Sequence, residues 1–377
     1  MPMYYGLRHM PKEQRIRTID GITRLRSQLA NAVPSRSIRD SLMLATWNIR
    51  DFGGSRLNPS PRGSEPLFYM AEIISAFDIV AIQEVNNNMT AFLDLMSILG
   101  PSWNYIATDT CEADGGNEER MAFVYDRNKV MFRNIAGEIV LPKKLQIGGD
   151  KQFARTPFLV KFQSGWCKFT LNTVHLYYGK GAPGKAQRIE EIDRIAGFLA
   201  GRAKKDLENY ILLGDMNIVS PTDKTMKALK DHKFILPSEL AKSKIPDEFL
   251  HNPASPANAS GSAPADNDDD DFTSNMNRDK FYDQIALFSE KKELELGKSR
   301  KKAGVINYYK SVYREADWKI YYDASNIKKK WGSTDAERKK YFAKKWRTWQ
   351  MSDHLPLWVE LNIDFTEKYL KELSGLV

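Results

Sequence analysis

The chain has 377 residues, of which 42% are hydrophobic and 28% are charged, and its formal net charge is +8. This composition is typical of a globular protein and is too apolar for disorder throughout the chain. No apolar run approaches the ~20 residues that a membrane helix needs, so we expect no membrane association. The opening residues, MPMYYGLRHMPKEQRIR, contain no apolar core of a secretory signal, and we therefore expect a cytoplasmic protein.

The cysteine and histidine content limits the kind of metal site. The chain has two cysteines, Cys111 and Cys167, and five histidines. These numbers exclude a disulfide-rich scaffold and a zinc site of the CxxC type. We interpret both cysteines as free thiols in a reducing compartment. A bound metal would then be held by carboxylate and amide oxygens, which favours magnesium, manganese or calcium.

The positive charge is concentrated in two segments. Residues 1–40 carry a net charge of +5 and residues 291–347 carry +11, so the remainder of the chain is at −8. Two basic segments on a neutral-to-acidic body indicate a polyanionic partner. Solvated charge on exposed helices is the alternative explanation, and charge alone does not exclude it.

The elements predicted along the chain are one basic helix followed by many strands. Ile19, Ile22 and Leu29 repeat at helical spacing and predict a helix over residues 12–30, with Pro34 beyond it. Short runs of β-forming residues predict strands at 42–49, 77–85, 104–108, 121–125, 158–162, 168–176, 210–218, 282–288 and 355–361. Helical periodicity predicts helices at 90–99, 186–199 and 222–232. Many strands with a few helices indicate a layered α+β or α/β domain.

This pattern divides the chain into three parts: a basic helical N-terminal extension, a main domain and a C-terminal tail, at residues 1–41, 42–365 and 366–377. Within the main domain, residues 252–271 are rich in Ala, Pro, Ser and Asp and predict a flexible acidic loop. Residues 291–347 form a basic insert that is dense in Lys, Tyr and Trp. We assign the aromatic residues of this insert to its own core and its lysines to the substrate.

Polar residues stand at the ends of the predicted strands, where a layered fold places its site. They are Asn48, Glu84, His175, Asp215, Asn217, Asp283, Asp353 and His354. Each has an ordinary explanation, because Asn and Asp cap turns and helices and a lone His is more often structural. Eight such residues in one order are better explained by a shared site.

These residue types suit the hydrolysis of a phosphate ester. Glu84, with Asp353 nearby, can hold a hard divalent cation. Asp215 and Asn217 are two residues apart and would face the same side of an extended strand. There they could bind a phosphate oxygen, a second metal or the attacking water. A histidine beside a carboxylate suits acid–base catalysis, and a metal would stabilise the charge of the transition state.

The segments TWNIR, IQEV, NTVHL, GDMN, YDQI and SDHLP, in this order, resemble the endonuclease/exonuclease/phosphatase superfamily over roughly residues 42–363. The resemblance implies an α/β (α+β) four-layer sandwich, in which two mostly antiparallel β-sheets pack face to face and are flanked by helices. The segments are most similar to those of deoxyribonuclease I-like nucleases. FARTPFLVKF resembles the strand with a phosphate-contacting arginine, and EERMAFVYD resembles the segment whose glutamate pairs with the first catalytic histidine.

The resemblance implies a role for each matching residue. The expected metal-binding residues are Glu84, Asp353, Asn48, Asp215 and Asn217. The expected catalytic residues are His175 with Glu119, His354 with Asp283, and Asp215 and Asn217. The residues expected to bind the substrate phosphate are Arg155 and Asn48. The expected cofactor is Mg²⁺ or Mn²⁺, with Ca²⁺ as a structural ion.

The function that follows is a divalent-metal-dependent phosphodiesterase, specifically a DNA endonuclease of low sequence specificity with nucleic acid as its partner. A phosphatase acting on inositol or lipid headgroups is one alternative, although the WCDR-type segment of inositol phosphatases is absent where YDQI stands. An RNA-cleaving nuclease is another alternative. A non-specific DNase in the cytoplasm would endanger its own cell. We therefore expect an inhibitory or regulatory partner, or a use against foreign DNA.

Overall fold

The structure is a computed structural model that describes residues 1–54, 61–111, 117–241, 273–289 and 294–375. The predicted acidic loop at 252–271 lies outside the described residues. No helix within the described ranges is long and apolar enough to cross a membrane. Neither the half-buried Cys111 nor the buried Cys167 forms a disulfide bond among the described residues.

The described chain contains both strands and helices, and five consecutive strands in its middle have no α-helix between them. The strands are β1 Ser41–Phe52, β2 Ile79–Asn86, β3 Trp103–Ala107, β4 Glu119–Asp126, β5 Met131–Glu138, β6 Phe158–Ser164, β7 Cys167–His175, β8 Asn209–Asp215, β9 Asp283–Phe288, β10 Ala303–Val305 and β11 Leu357–Asn362. The α-helices are α1 Lys12–Ala32, α2 Ser64–Ser75, α3 Thr90–Leu99, α4 Gly181–Asp206, α5 Lys224–Asp231, α6 Trp318–Asp323, α7 Asp335–Tyr341, α8 Arg347–Gln350 and α9 Thr366–Leu373. A π-helix, Phe342–Trp346, joins α7 to α8.

The strands form two mostly antiparallel sheets. The order in the first sheet is β10-β11-β1-β2-β4-β3, and the order in the second is β5-β6-β7-β8-β9. In the first sheet β1 runs parallel to β2, and in the second β7 runs parallel to β8. The other neighbouring pairs are antiparallel. This topology confirms the expected fold class.

Alternation along the strands of the first sheet separates two apolar cores. In β1, Leu42 and Leu44 belong to the core that also contains Leu171 of β7, and so they face the second sheet. The intervening Met43 and the following Trp47 belong to the core that contains the helices on the outer face. Successive side chains of a strand point to opposite faces, so one strand supplies both cores. On the other side of the molecule, α4 packs on the second sheet and completes four layers.

Helix α1 packs on α2 through a face that includes the predicted Ile22 and Leu29 but not the predicted Ile19. Ile19 is 45% exposed, whereas Leu25 is fully buried. The contact is close at Gly21, where an added Cβ would lie 2.4 Å from the hydroxyl of Tyr69 in α2. The buried face of α1 therefore runs through a glycine, which apolar spacing does not detect.

The basic insert packs against α1 and α2. Its aromatic residues in the outer core include Tyr308, Tyr309, Tyr313, Trp318, Tyr321, Trp331 and Phe342, all buried. The insert is tied to α1 by hydrogen bonds from Arg24 Nε to the Ser311 carbonyl oxygen and from Gln28 Nε2 to the Asn307 carbonyl oxygen. The prediction that its aromatic residues form a core is confirmed, but this core is shared with the rest of the domain.

Candidate active site

Three residues of the site lie side by side on the second sheet. His175 ends β7, Asp215 ends β8 and Asp283 begins β9, and the pairing places His175 opposite Asp215 and Asp215 opposite Asp283. Side chains at one register point to the same face, so the three meet above the strand ends. The adjacent Gly214 has φ of +132°, and an added Cβ would lie 2.1 Å from the Val174 carbonyl oxygen. Only glycine fits at this position.

The first sheet contributes the facing residues. Asn48 lies in β1 and Glu84 in β2, and Asn48 Nδ2 donates to Glu84 Oε1 at 2.8 Å and to Asp215 Oδ2 at 3.1 Å. Asn48 therefore joins the two sheets at the centre of the site. Glu84 has φ of +60° where the pairing of β2 with β4 shifts register. Such irregularities re-aim side chains and are common beside active sites.

The first histidine pair also spans the two sheets. His175 Nδ1 lies 3.0 Å from Glu119 Oε2, and His175 Nε2 lies 3.6 Å from Asp215 Oδ2. The other oxygen of Glu119 accepts from Arg155 Nε. Burial alone would raise the pKa of Glu119, but His175 and Arg155 hold it below its ordinary value. Burial alone would lower the pKa of His175, but the Glu119 charge raises it.

Arg155 lies beside a cavity at the end of the site. The cavity has a volume of about 240 Å³, and its lining includes Glu119, Asp109, Thr156 and Arg155 itself. Arg155 is itself buried. A guanidinium oriented by Glu119 and facing such a space is suited to hold an anionic oxygen.

The second histidine pair lies on the opposite side of Asp215. His354 Nδ1 lies 2.8 Å from Asp283 Oδ2, and His354 Nε2 lies 3.8 Å from Asp215 Oδ2. Burial alone would lower the pKa of His354, but Asp283 and Asp215 raise it well above its ordinary value. Burial also raises the pKa of Asp283, and the His354 charge opposes that rise. The two imidazoles therefore direct their Nε2 atoms at one carboxylate oxygen.

Asp353 lies at the edge of the site and has an arginine partner. Its side chain is 43% exposed, and its Oδ2 lies 3.2 Å from Arg50 Nη1. The Arg50 guanidinium stacks at 3.9 Å over the ring of Trp349. Burial raises the pKa of Glu84, and the charges of Glu119 and Asp353 add to that rise. Asp353 is thus near enough to Glu84 to influence it, although the sequence did not predict its pairing with Arg50.

The predicted geometry of Asp215 and Asn217 is wrong. Strand β8 ends at Asp215, whereas the predicted strand continued to residue 218. Asn217 has φ of +52°, so the two residues do not share one face of an extended strand. The Asn217 backbone N–H donates to Asp215 Oδ1 at 2.9 Å, and its Nδ2 donates to the Leu176 carbonyl oxygen. Asn217 is therefore adjacent to Asp215, but its amide nitrogen fixes the turn after the strand.

Comparison with known proteins identifies the family. A family model described as the endonuclease/exonuclease/phosphatase family matches residues 45–271. The chain belongs to this family. A deoxyribonuclease of Thioalkalivibrio sp. is 30% identical over 191 residues, which are 49% of this chain and 48% of that protein. Deoxyribonuclease-1 of Bos taurus is 27% identical over 186 residues, which are 47% of this chain and 61% of that protein. The chain thus matches less than two thirds of each relative's length.

The fold of this chain is also found in solved structures. A functionally unknown conserved protein from Enterococcus faecalis superposes with a TM-score of 0.50 at 15% identity, covering 85% of this chain and 99% of that one. The likeness extends beyond the segment that the family model matches. It supports the two-sheet architecture and carries no information on the substrate.

The residues at the centre of this family member fit a hard divalent metal. Ligand atoms of Glu84, Glu119 and His175 lie within 4.8 Å of one another, and a second such group is formed by Asp215, Asp283 and His354. The buried Oδ1 atoms of Asn48 and Asp283 have no hydrogen-bond partner among the described residues. Unpaired buried oxygens beside closely packed carboxylates are typical of a cation site. The family generally uses a divalent metal.

Two supporting residues of the site were missed by sequence reasoning. Ser352 Oγ donates to the Asn48 carbonyl oxygen at 2.7 Å and accepts from the His354 N–H at 3.0 Å. Tyr308 of the insert donates its hydroxyl to the carbonyl oxygens of Ser352 and His354, at 2.9 and 3.0 Å. The insert therefore supports the loop that carries His354. Ser352 is signalled only by its place in SDHLP, and Tyr308 has no signal in the sequence.

Proposed function

We propose that the protein is a divalent-metal-dependent nuclease that hydrolyses the phosphodiester backbone of DNA with low sequence specificity. The observation that carries this proposal is the arrangement of the two histidines. Each has its Nδ1 held by a carboxylate, and the Nε2 atoms of His175 and His354 lie 3.6 and 3.8 Å from Asp215 Oδ2. Two oriented imidazoles facing one point can exchange protons with the attacking and leaving oxygens of a single phosphate.

The two histidines take different parts in the reaction. His354 lies between Asp283 and Asp215, which raise its pKa well above the ordinary value despite burial. It is therefore held protonated and donates its Nε2 proton to the leaving oxygen. His175 is also raised in pKa, but the charge of Arg155 opposes the rise. Arg155 therefore favours the neutral form of His175 relative to His354, and we assign to His175 the proton of the attacking water.

The remaining residues bind and orient the phosphate. Arg155 donates from its guanidinium to a non-bridging oxygen, because Glu119 fixes its orientation and the cavity beside it has room for the substrate. Glu84, Asn48 and Asp215 would hold the metal, with Asp353 at the edge of the site. A bound divalent cation would neutralise charge that develops on the phosphate oxygens.

DNA is the proposed substrate because of the relatives and because of the charge near the site. The two relatives described above are named deoxyribonucleases. Lys344 of the basic insert donates to Asn277 Oδ1 at 3.3 Å. The neighbouring Met276 N–H donates to the Asp353 carbonyl oxygen at 2.7 Å. The insert therefore brings lysines to the edge of the site, where they can contact phosphates of a long substrate.

The proposal is tested with plasmid DNA, single-stranded DNA, RNA and inositol phosphates, each with Mg²⁺ and with EDTA. We expect DNA cleavage that EDTA abolishes and Mg²⁺ or Mn²⁺ restores. Glu84→Ala should lower the rate by several powers of ten with an unchanged melting temperature, because it removes a metal ligand and little core volume. The control is Asp231→Ala, which removes an exposed carboxylate from α5 that pairs with Lys227.

Each result has a defined reading. Full activity after thorough chelation contradicts the metal mechanism. Hydrolysis of inositol phosphates without DNA cleavage supports the headgroup phosphatase instead. Preferential cleavage of RNA retains the catalytic mechanism and corrects the substrate.

A further inference from the structure

Two of the three guanidinium nitrogens of Arg188 are buried without a hydrogen-bond partner among the described residues. Arg188 lies on the inner face of α4 and is only 5% exposed. Its Nε and Nη1 atoms are buried and form no hydrogen bond to any residue that the structure describes. An arginine remains charged inside a protein, and an unpaired buried charge is strongly unfavourable. A site of this kind is completed by an anion.

The charged neighbours of Arg188 on α4 are already engaged. Glu191 accepts from the Tyr177 N–H at 2.9 Å and from Gln187 Nε2 at 3.3 Å. Burial raises the pKa of Glu191, which weakens it further as a counter-charge. Lys185 Nζ, one turn before Arg188, is paired with Asp223 at 2.8 Å. The guanidinium of Arg188 is therefore the positive charge in this part of α4 that still needs an anion.

A row of aromatic rings leads from Arg188 to the active site. The Arg188 guanidinium lies 5.4 Å from the ring of Tyr178. The rings of Tyr178 and Tyr282 are 6.3 Å apart, and the ring of Tyr282 lies 5.7 Å from the imidazole of His354. Tyr178 is 53% exposed, so a solvent-facing ring covers the buried guanidinium.

We infer that Arg188 is a second phosphate-binding residue, which contacts a backbone phosphate next to the one that is cleaved. The inference rests on the proposed nuclease function and adds to it a binding position for the substrate strand beyond His354. The Nε–H and Nη1–H groups lie on different edges of the guanidinium, and either one can donate a charge-assisted hydrogen bond to a phosphate oxygen. A polymeric phosphodiester bound at the active site supplies such an anion close by, whereas a single-phosphate ester does not.

The test compares a short DNA duplex with bis(p-nitrophenyl) phosphate, a diester that has a single phosphate. Arg188→Met should raise the KM for the duplex by about tenfold or more, because a charge-assisted contact is lost. The salt slope of duplex binding should fall by about 0.9. The kcat/KM for the small diester should stay unchanged, and the melting temperature should stay equal or rise, because an unpaired buried charge is removed.

Arg188→Lys should give an intermediate KM for the duplex, because it keeps the charge and loses the Nε and Nη1 donors. The control is Arg202→Met on the same helix, where an exposed arginine stacks at 5.7 Å over Phe198. It removes the same charge and should leave the duplex KM unchanged. Arg202→Met raising the KM as much as Arg188→Met would reduce the effect to net charge and overturn the inference.

Two further outcomes overturn the assignment of Arg188 while leaving the proposed function intact. One is an unchanged KM for the duplex in Arg188→Met while the wild-type enzyme cleaves DNA. The other is an equal loss on both substrates with a lowered melting temperature, which indicates a structural role. A wild-type enzyme that hydrolyses the small diester and neither binds nor cleaves the duplex contradicts the proposed function, and the inference with it.

Discussion

The two histidine–carboxylate pairs differ in what their carboxylates do. Glu119 serves two cations, because one oxygen contacts His175 and the other accepts from Arg155. Asp283 contacts His354 through one oxygen, and its other oxygen has no hydrogen-bond partner among the described residues. In the proposed mechanism, the first pair therefore connects proton transfer with phosphate binding. The carboxylate of the second pair orients one imidazole and leaves its other oxygen available for the metal.

The electrostatics of the two pairs differ in the same way. His175 and Arg155 overcome the effect of burial and hold the pKa of Glu119 below its ordinary value. Burial raises the pKa of Asp283 despite the nearby His354. The pKa values of the two carboxylates thus shift in opposite directions, because Arg155 adds a positive charge beside Glu119 and Asp215 adds a negative charge beside Asp283.

Replacing each carboxylate by its amide should give the largest difference between the pairs. Glu119→Gln and Asp283→Asn should each lower kcat by at least about a hundredfold, because the imidazole loses its orienting charge. Glu119→Gln should also raise the KM for DNA, since Arg155 loses its carboxylate partner. Steady-state kinetics with Mg²⁺ separates the two parameters. A KM that rises equally in both variants would contradict the different roles of the carboxylates.

Arg155→Lys tests the proposed contribution of the first pair to phosphate binding. A lysine retains the charge but cannot bind Glu119 and a phosphate oxygen through one planar fork. We expect a KM for DNA that is about tenfold higher, with a smaller fall in kcat. The part of the pH profile of kcat that reports the ionisation of His354 should stay unchanged. A lysine variant with wild-type KM would show that a point charge is sufficient at this position.

The pH dependence of stability should separate the pairs without any substrate. The folded pKa of His354 lies well above its ordinary value. Its stabilising contribution is therefore complete below about pH 6.5 and is lost as pH rises through the folded pKa. Glu119 has a lowered pKa, so its contribution is present above about pH 4.3 and is lost as pH falls through the folded pKa.

Melting temperatures measured in EDTA from acidic to alkaline pH test the direction of the pKa shift of His354 and that of Glu119. The wild type should lose stability relative to His354→Gln on the alkaline side, by up to about 1.4 kcal/mol per pH unit. It should lose stability relative to Glu119→Gln on the acidic side. Parallel profiles for the wild type and both variants would contradict the assigned pKa directions.

Replacing lysines of the basic insert, outside the two histidine–carboxylate pairs, should have the smallest effect on DNA cleavage. The basic insert supports the loop of His354, and it carries Lys328, Lys329 and Lys330. Replacing these three lysines with Ala should weaken DNA binding and reduce its salt slope by up to about 0.9 per lost phosphate contact. The chemical step at saturating DNA should persist. Lys328 lies 5.4 Å from the ring of Tyr322, so a slight loss of stability is also expected.

The matched control for this cluster is the double replacement of Lys204 and Lys205, which are exposed at the end of α4. It should change the salt slope little, because these lysines lie on the second sheet's helix and away from the insert. Equal effects of both sets of replacements would assign the dependence to net charge alone.

The residues of the candidate site could be located because strand ends are visible in the sequence. His175, Asp215 and Asp283 each follow or precede an apolar run, and the pairing of β7, β8 and β9 brings them to one register. The contact of Asn48 with Asp215 joins residues that are 167 positions apart, and periodicity contains no information on such a contact. The family resemblance supplied that part of the prediction.

Other features were missed for identifiable physical reasons. Helix α2, with the sequence SEPLFYMAEIIS, is buried over most of its surface and so has no amphipathic pattern. Its Glu65 is buried because it accepts from Tyr321, a residue 256 positions away. Strand β5 is mostly exposed and lacks an apolar run. The apolar run at 210–218 predicts a strand through Asn217, but asparagine also tolerates the left-handed backbone that it adopts after β8.

The pairing of β1 with β11 determines the stage of synthesis and folding at which the site can assemble. Strand β11 lies between β1 and β10 in the first sheet, and Trp47 of β1 donates its indole N–H to the carbonyl oxygen of His354, 307 positions later. A ribosome must therefore synthesise the chain past His354 before the second imidazole can reach the first. Such distant contacts form late in folding. Unfinished chains released from the ribosome would lack the paired site, so hydrolysis would begin only in molecules whose sheet is closed.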